Sequence, residues 1–189
     1  MARPRSVDRE QLLDTAERYV TENGAASLSF GTLAKAADLS KATVQSIFGT
    51  KENLLEALIG RWVAQEQSSF DMQLRGQNSP DARVRIHLHN TRTESAEVGR
   101  TVSTMVAALA GNSAHSVTMR DWYNLRIGDL QALDEGSRRR RIAYLAAEGA
   151  FLIRSLVGFE IGDAEWNSIF DDLEALVVEP IGASLPGAE

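Results

Sequence analysis

Four polar side chains crowd one short stretch of this chain, Lys41, Thr43, Gln45 and Ser46, with the small Ala42 among them. Ammonium and hydroxyl groups suit phosphate oxygens, and a glutamine amide can pair bidentately with the N6/N7 edge of adenine. Lys51 follows as a phosphate clamp, and Arg3 and Arg5 form a short basic arm of the kind that enters a minor groove. Ser29, upstream, belongs to the same candidate contact set as a helix cap. The chemistry these residue types offer is recognition of double-stranded DNA. The plainer alternative is a solvated helix face.

Catalytic chemistry finds less material. His87 and His89 are two apart on a predicted helix and do not share a face, and neither they nor His115 are joined by a cysteine, so no metal site is expected. Serine, histidine and aspartate occur without a nucleophile elbow, and no glycine-rich phosphate loop is visible. The chain reads as a non-enzyme with no cofactor.

The elements that would position the polar set lie in Ser29–Lys51, SFGTLAKAADLSKATVQSIFGTK. Leu33, Ala34 and Ala37 give a short helical pattern, Asp38-Leu39-Ser40 a turn, and Val44, Ile47 and Phe48 a second pattern that ends at Gly49. Two short helices joined by such a turn have the dimensions of a helix-turn-helix, whose second helix is presented to the major groove. Upstream, Leu12, Leu13, Ala16, Tyr19 and Val20 share one face of a helix that stops at Asn23-Gly24.

From about Arg9 to Leu58 the chain resembles the N-terminal domain of the TetR family of transcriptional regulators. The resemblance is carried by that first helix with its terminal glycine, and by Leu33-Ala34, Ala37, Leu39-Ser40, Thr43, Phe48, Lys51-Glu52 and Leu54 in the family's order and spacing. Four positions depart from the pattern. Asp38 stands at the usual turn glycine, Ala42 at a frequent glycine, Gln45 at a frequent tyrosine, and Ile47 at an aromatic or histidine position. Aspartate reaches the left-handed region at modest cost. Ile47 cannot hydrogen-bond, so one of the family's phosphate contacts is expected to be missing.

The net charge of −6 argues against DNA until it is resolved along the chain. Residues 1–51 hold seven basic and six acidic residues, and residues 52–189 hold thirteen basic and twenty acidic ones. Local charge governs phosphate contact, because screening removes much of the influence beyond about 10 Å. No stretch reaches the ~18 apolar residues of a membrane span, and the N-terminus lacks the apolar run of a secretion signal. With no cysteine present, a cytoplasmic location is expected.

Helical periodicity dominates the rest and strand signals are nearly absent. The expected fold is all-α with about nine helices: a helix-turn-helix DNA-binding domain over 1–51 and a helical effector-binding and dimerisation domain over 52–189. Their boundary is placed inside a fourth helix that runs to about Leu74. Ser79-Pro80 should start the fifth helix, and Ser137 should cap an eighth that runs from about Arg138 to Val157. The Arg138–Arg141 run is read as a solvated turn neutralised by Asp134 and Glu135.

The resemblance implies that the last two helices form a homodimer interface. The candidates are Ala143, Ala146, Ala147 and Ala150 on the eighth, with Trp166, Phe170, Leu173 and Val177 on the ninth. It also implies a small-molecule effector pocket, for which Thr101, Met105, Leu109, Trp122, Arg126, Phe151 and Arg154 are the candidates. An ordinary core would look much the same. The function expected is a regulator that occupies a palindromic operator as a homodimer and is released as a repressor by an effector. The alternative is a dimeric DNA-binding regulator without effector, controlled by protein partners.

Overall fold

The structure is a computed structural model and describes residues 8–77, 79–109, 117–127 and 131–178. Among them the chain forms nine α-helices and no strand, as the periodicity predicts. It divides into two compact units, Met1–Ala64 with Arg100–Thr118, and Gln65–Gly99 with Met119–Glu189. The division falls inside three helices, α4 (Lys51–Leu74), α6 (Ala96–Leu109) and α7 (Val117–Ile127).

In the first unit, α1 (Arg9–Asn23) starts where the Asp8 carboxylate accepts from the Glu10 amide at 2.9 Å, and ends at Gly24 with φ 79°. Its apolar stripe, Leu12, Leu13, Ala16 and Val20, is buried. A single tight turn at Ala25–Ser27, not anticipated from sequence, leads to buried Leu28 and then to α2 (Phe30–Ala36) and α3 (Lys41–Phe48). The N-terminal part of α4 completes this core with Leu54, Leu55, Leu58 and Ile59.

Arg61 on α4 ties down α1. Its guanidinium meets Asp14 at 2.6 Å, Glu17 at 3.2 Å and Glu10 at 3.8 Å, and Asp14 leads the causes that raise its pKa. The acids stand one helical turn apart and would repel one another without it. Exposed pairs contribute little singly, so Arg61→Ala is expected to cost about 1–2 kcal/mol for the network. Urea denaturation checks this. The loss should shrink in molar salt, whereas a salt-independent loss would mean that the aliphatic stem, and not the charge, does the tying.

In the second unit, α5 (Pro80–Thr93), α8 (Glu135–Leu152) and α9 (Asp163–Val178) pack against one another. Ser79 caps α5 by accepting from the Ala82 amide at 3.1 Å, with Pro80 in the first helical position. Val84 and Leu88 of α5 meet Ala143 and Ala147 of α8 and Trp166, Phe170, Leu173 and Val177 of α9 in one core. Small residues on α8 let its neighbours approach closely. The indole of Trp166 donates to the Arg92 carbonyl at 2.9 Å and fixes α9 on α5. A smaller core joins Phe70, Leu74 and Ala82, and Arg83 donates to the Leu125 carbonyl of α7 (Val117–Ile127) at 2.8 Å.

Two local expectations change. Asp134, not Ser137, caps α8: its carboxylate accepts from the Ser137 amide at 2.9 Å, so the helix starts earlier than the serine implied. The Ser137 side chain first, and that amide bond second, lower the Asp134 pKa. Beyond Leu152 the helix opens into a wide turn over Ile153–Val157, closed by Gly158 at φ 72°. In the arginine run, Arg140 finds Asp81 of α5 at 2.7 Å and Ser137 at 2.7 Å, a contact across the fold that local spacing could not reveal. Arg139 keeps the expected Glu135, at 3.9 Å.

Candidate nucleic-acid interface

The α2–turn–α3 unit is built by its caps. Ser29 accepts from the Thr32 amide while Thr32 accepts from the Ser29 amide, a reciprocal capping box. Asp38 takes φ 54°, the left-handed value a turn glycine would supply, and the Leu39 amide closes back on the Ala34 carbonyl at 2.9 Å. Ser40 then caps α3 by accepting from Thr43 at 3.0 Å. Val44 and Phe48 turn inward and are buried, which commits the opposite face of α3 to solvent.

That face carries Lys41, Ala42, Gln45 and Ser46, all exposed, with Thr43 half-buried beside them. The Lys41 and Gln45 side chains make no hydrogen bond or ion pair among the described residues. The hydroxyls are already engaged: Thr43 with Ser40 at 2.8 Å, and Ser46 donating to the Thr43 carbonyl at 2.7 Å. Ala42 offers only close approach. Ser29 is spent on its cap. Arg3 and Arg5 lie outside the described residues.

Lys51 opens α4 one tight corner after α3. Gly49 turns at φ 74°, Thr50 accepts from the Asn53 amide at 3.1 Å, and the Asn53 amide group donates to the Phe48 carbonyl at 3.0 Å. Asn53 therefore pins the end of α3 to the start of α4 and holds Lys51 at a set distance from the exposed face. The free amides of the α4 N-terminus add partial positive charge there. Sequence reasoning passed over Arg9, whose guanidinium sits 5.5 Å above the Phe48 ring. It lines a groove of about 380 Å³ with Ile47, Asn53 and Glu56. A basic first residue on α1 was the signal available.

In the second unit the effector candidates separate. Trp122 and Arg126 are buried on α7, and the Arg126 guanidinium lies 4.1 Å from the Trp122 ring centre and 4.4 Å from that of Phe70. Arg154 lies instead over Trp166 at 4.4 Å, with Asp163 at 3.6 Å. Phe151 is half-buried against Gly99, where an added Cβ would fall 3.0 Å from its ring. Met105 is buried and Thr101 half-buried on α6, in the first unit, and the Leu109 side chain is outside the described set. The two arginines thus serve different neighbourhoods.

Around Trp122 lies a polar aromatic cluster that periodicity did not single out. His87 stacks on Tyr144 at 4.0 Å, and Tyr123 meets Trp122 edge-on at 4.9 Å and donates to Glu148 at 2.8 Å. His87 Nε2 lies 3.0 Å from the other Glu148 oxygen without the geometry of a hydrogen bond. Burial is the first cause that raises the pKa of both tyrosines, which stay protonated. The Tyr144 hydroxyl is buried with no hydrogen-bond partner among the described residues. Its elements, α5, α7 and α8, meet only in the fold. The i, i+4 pairs Trp122/Arg126 and Tyr144/Glu148 were the legible part.

The expected dimer residues also sort by face. Ala143, Ala147, Trp166, Phe170, Leu173 and Val177 are consumed in the protomer's own core, and Ala150 packs beside them. A side chain already buried cannot offer area to a partner. Of that set only Ala146 is exposed.

Comparison with known proteins matches the model for bacterial regulatory proteins of the tetR family to residues 12–58, and that for the tetracyclin repressor-like C-terminal domain to residues 81–178. Among solved structures, the chain is similar to the proposed transcriptional regulator SCO7518 from Streptomyces coelicolor A3(2), at 21% identity over 90% of this chain and 98% of that one, with TM-score 0.62. It is also similar to the multidrug binding protein EbrR complexed with imidazole, at 18% identity over 97% and 100% of the two chains, with TM-score 0.64. No curated protein matches.

Proposed function

The chain belongs to the TetR family of transcriptional regulators, and on that premise we propose that it is a repressor that binds a palindromic operator as a homodimer and leaves it when a small effector occupies its second unit. The observation that carries the DNA half is the outer face of α3, where Lys41 and Gln45 are exposed beside Lys51 while Val44 and Phe48 anchor the helix. The buried aromatic cluster of α7 and α8, and the likeness in fold to a protein complexed with imidazole, support the effector half. Among the described residues no helix is long and apolar enough to cross a membrane, and the proposed place of action is the cytoplasm.

The homodimer reading rests on the outward side of α8. Ile142, Leu145 and Leu152 are exposed on it at heptad-like spacing, with Gly149 between them and open space around it, and Leu156 in the wide turn that follows is exposed as well. Val157 and Phe159 continue the patch. An apolar stripe of this kind marks an interface. A small residue midway lets two copies of α8 cross closely.

Footprinting tests the DNA reading. A two-fold dimer should protect a palindrome with half-site centres about 34–36 Å apart, or somewhat more. Lys51→Ala should weaken all sequences alike and lower the salt slope by about one. Gln45→Ala should instead relax preference at one base position by about 1–3 kcal/mol. Equal loss on operator and random DNA would remove Gln45 as a base reader. Effector and operator should weaken each other by the same factor, a coupling of about 1–3 kcal/mol. A ligand that stabilises the protein but leaves operator affinity unchanged would refute release.

A further inference from the structure

We propose that the second unit takes a flat, delocalised organic cation, received in the aromatic slot between Phe70 and Trp122 that Arg126 fills with its own guanidinium. The inference rests on the reading that this unit takes a small effector, and names its chemical class.

Arg126 is 4% exposed, yet no carboxylate lies within ion-pair distance of it among the described residues. What holds it is two ring faces and one bond from Nη1 to the Gln67 side-chain oxygen at 3.0 Å. Burial lowers its pKa, and Tyr144, Glu66, Asp71 and Glu148 act in the opposite sense from farther away. A buried charge without a paired counter-ion is costly. The slot therefore owes its preference for a cation to parts that are not Arg126: the negative faces of two rings, a neutral amide acceptor, and the field of three carboxylates. Those parts would act alike on any planar, weakly hydrated cation such as an amidinium or a ring-delocalised aromatic. The Tyr144 hydroxyl, buried and without a hydrogen-bond partner among the described residues, adds to the field that favours positive charge at Arg126.

An anion pairing with Arg126 is the rival. It would lie among the same ring faces and in the same carboxylate field, both of which repel it. Arg126 in contrast is displaceable. It sits in the last turn of α7 on a rotatable stem, and leaving the slot breaks the bond to Gln67 and gives up the two ring faces, which the incoming cation then takes over, but separates no ion pair among the described residues. In this account Arg126 keeps the site shut. A ligand's apparent affinity is then reduced by the fraction of molecules in which the slot is open.

The test uses an isosteric trio, 2-naphthamidinium, 2-naphthamide and 2-naphthoate, titrated calorimetrically into the full chain without DNA. The wild type should bind the cation in preference to the other two. Arg126→Met should raise cation affinity about tenfold or more, because the resident competitor has gone. Phe70→Leu should lower it in both backgrounds. If Arg126→Met fails to fold, Arg126→Lys, which keeps charge and loses the plane, should show a smaller gain. The proposal is overturned if 2-naphthoate binds and Arg126→Met abolishes it, if cation affinity ignores both Arg126 and Phe70, or if no member of the trio binds even with Arg126 removed. Operator release is read separately. Cation binding that leaves operator affinity unchanged would end the release reading and keep the slot. Release by a compound indifferent to Arg126→Met would do the reverse.

Discussion

Leu145→Glu is expected to leave the protein folded and reduce it to 20.7 kDa particles at micromolar concentration, where the wild type is expected to sediment as the proposed dimer. Leu145 is 50% exposed in the isolated protomer, so the substitution disturbs no protomer core. In the proposed dimer it lies at a two-fold interface, where each substitution counts twice. Covering a leucine side chain is worth about 1.5–3 kcal/mol, and burying an unpaired carboxylate in its place costs several more. The combined loss moves a micromolar or tighter dimer beyond millimolar. Operator binding should fall with it, by about 10²–10⁴, because two linked half-site contacts become independent ones. Ala147→Glu is the contrast. Ala147 is fully buried between helices of one chain, and its substitution should unfold the unit as well as dissociate it. A Leu145→Glu protein that still sediments as a dimer would move the interface off this face of α8.

The contrast between Leu145 and Ala147 also marks how far the sequence could be read. The DNA reader was legible because its determinants are local. Ser29, Asp38, Ser40 and Gly49 punctuate it within one or two turns of the residues they control, and Val44 and Phe48 leave only one outward face. Helix α8 was harder because it is apolar on two sides. Periodicity reports that a helix has an apolar stripe but not whether its own chain or another copy covers it. Small residues were read as sites of close approach between copies, and here they serve close approach to α5 and α9. The larger Ile142, Leu145, Leu152 and Leu156 are the ones left over.

Long-range electrostatics were the least legible. The three acids of α1 gain meaning only through Arg61, and Asp81 only through Arg140. The Arg126 slot needs Phe70 and Gln67 from α4 and Trp122 from α7. Trp122 and Arg126 were singled out as pocket residues, but nothing in their spacing indicates that one arginine occupies an aromatic slot while Arg154 covers another tryptophan.

Glu94 supplies the second large effect, and its sign is opposite to that of most acids. It follows the last turn of α5 as a half-buried carboxyl, and burial first and Glu66 second push its pKa up to about 7. The unfolded chain releases that proton near 4.3. Between these values the folded protein holds a proton that the unfolded chain does not, so stability falls as pH rises through the window and is level above it. At about 1.4 kcal/mol per unit the full window amounts to about 3.5 kcal/mol, and residual solvent access reduces the expected loss between pH 4.5 and pH 8 to about 2–3 kcal/mol. Glu94→Gln cannot ionise. It should match the wild type at pH 4.5 and exceed it at pH 8 by that amount in urea denaturation. Glu66→Gln should recover a smaller part, because it removes the second cause and leaves burial in place. A Glu94→Gln difference that is the same at both pH values would mean that the side chain acts through packing. Loss of stability at pH 8 would mean that the carboxylate is paired in solution and that its pKa is not raised.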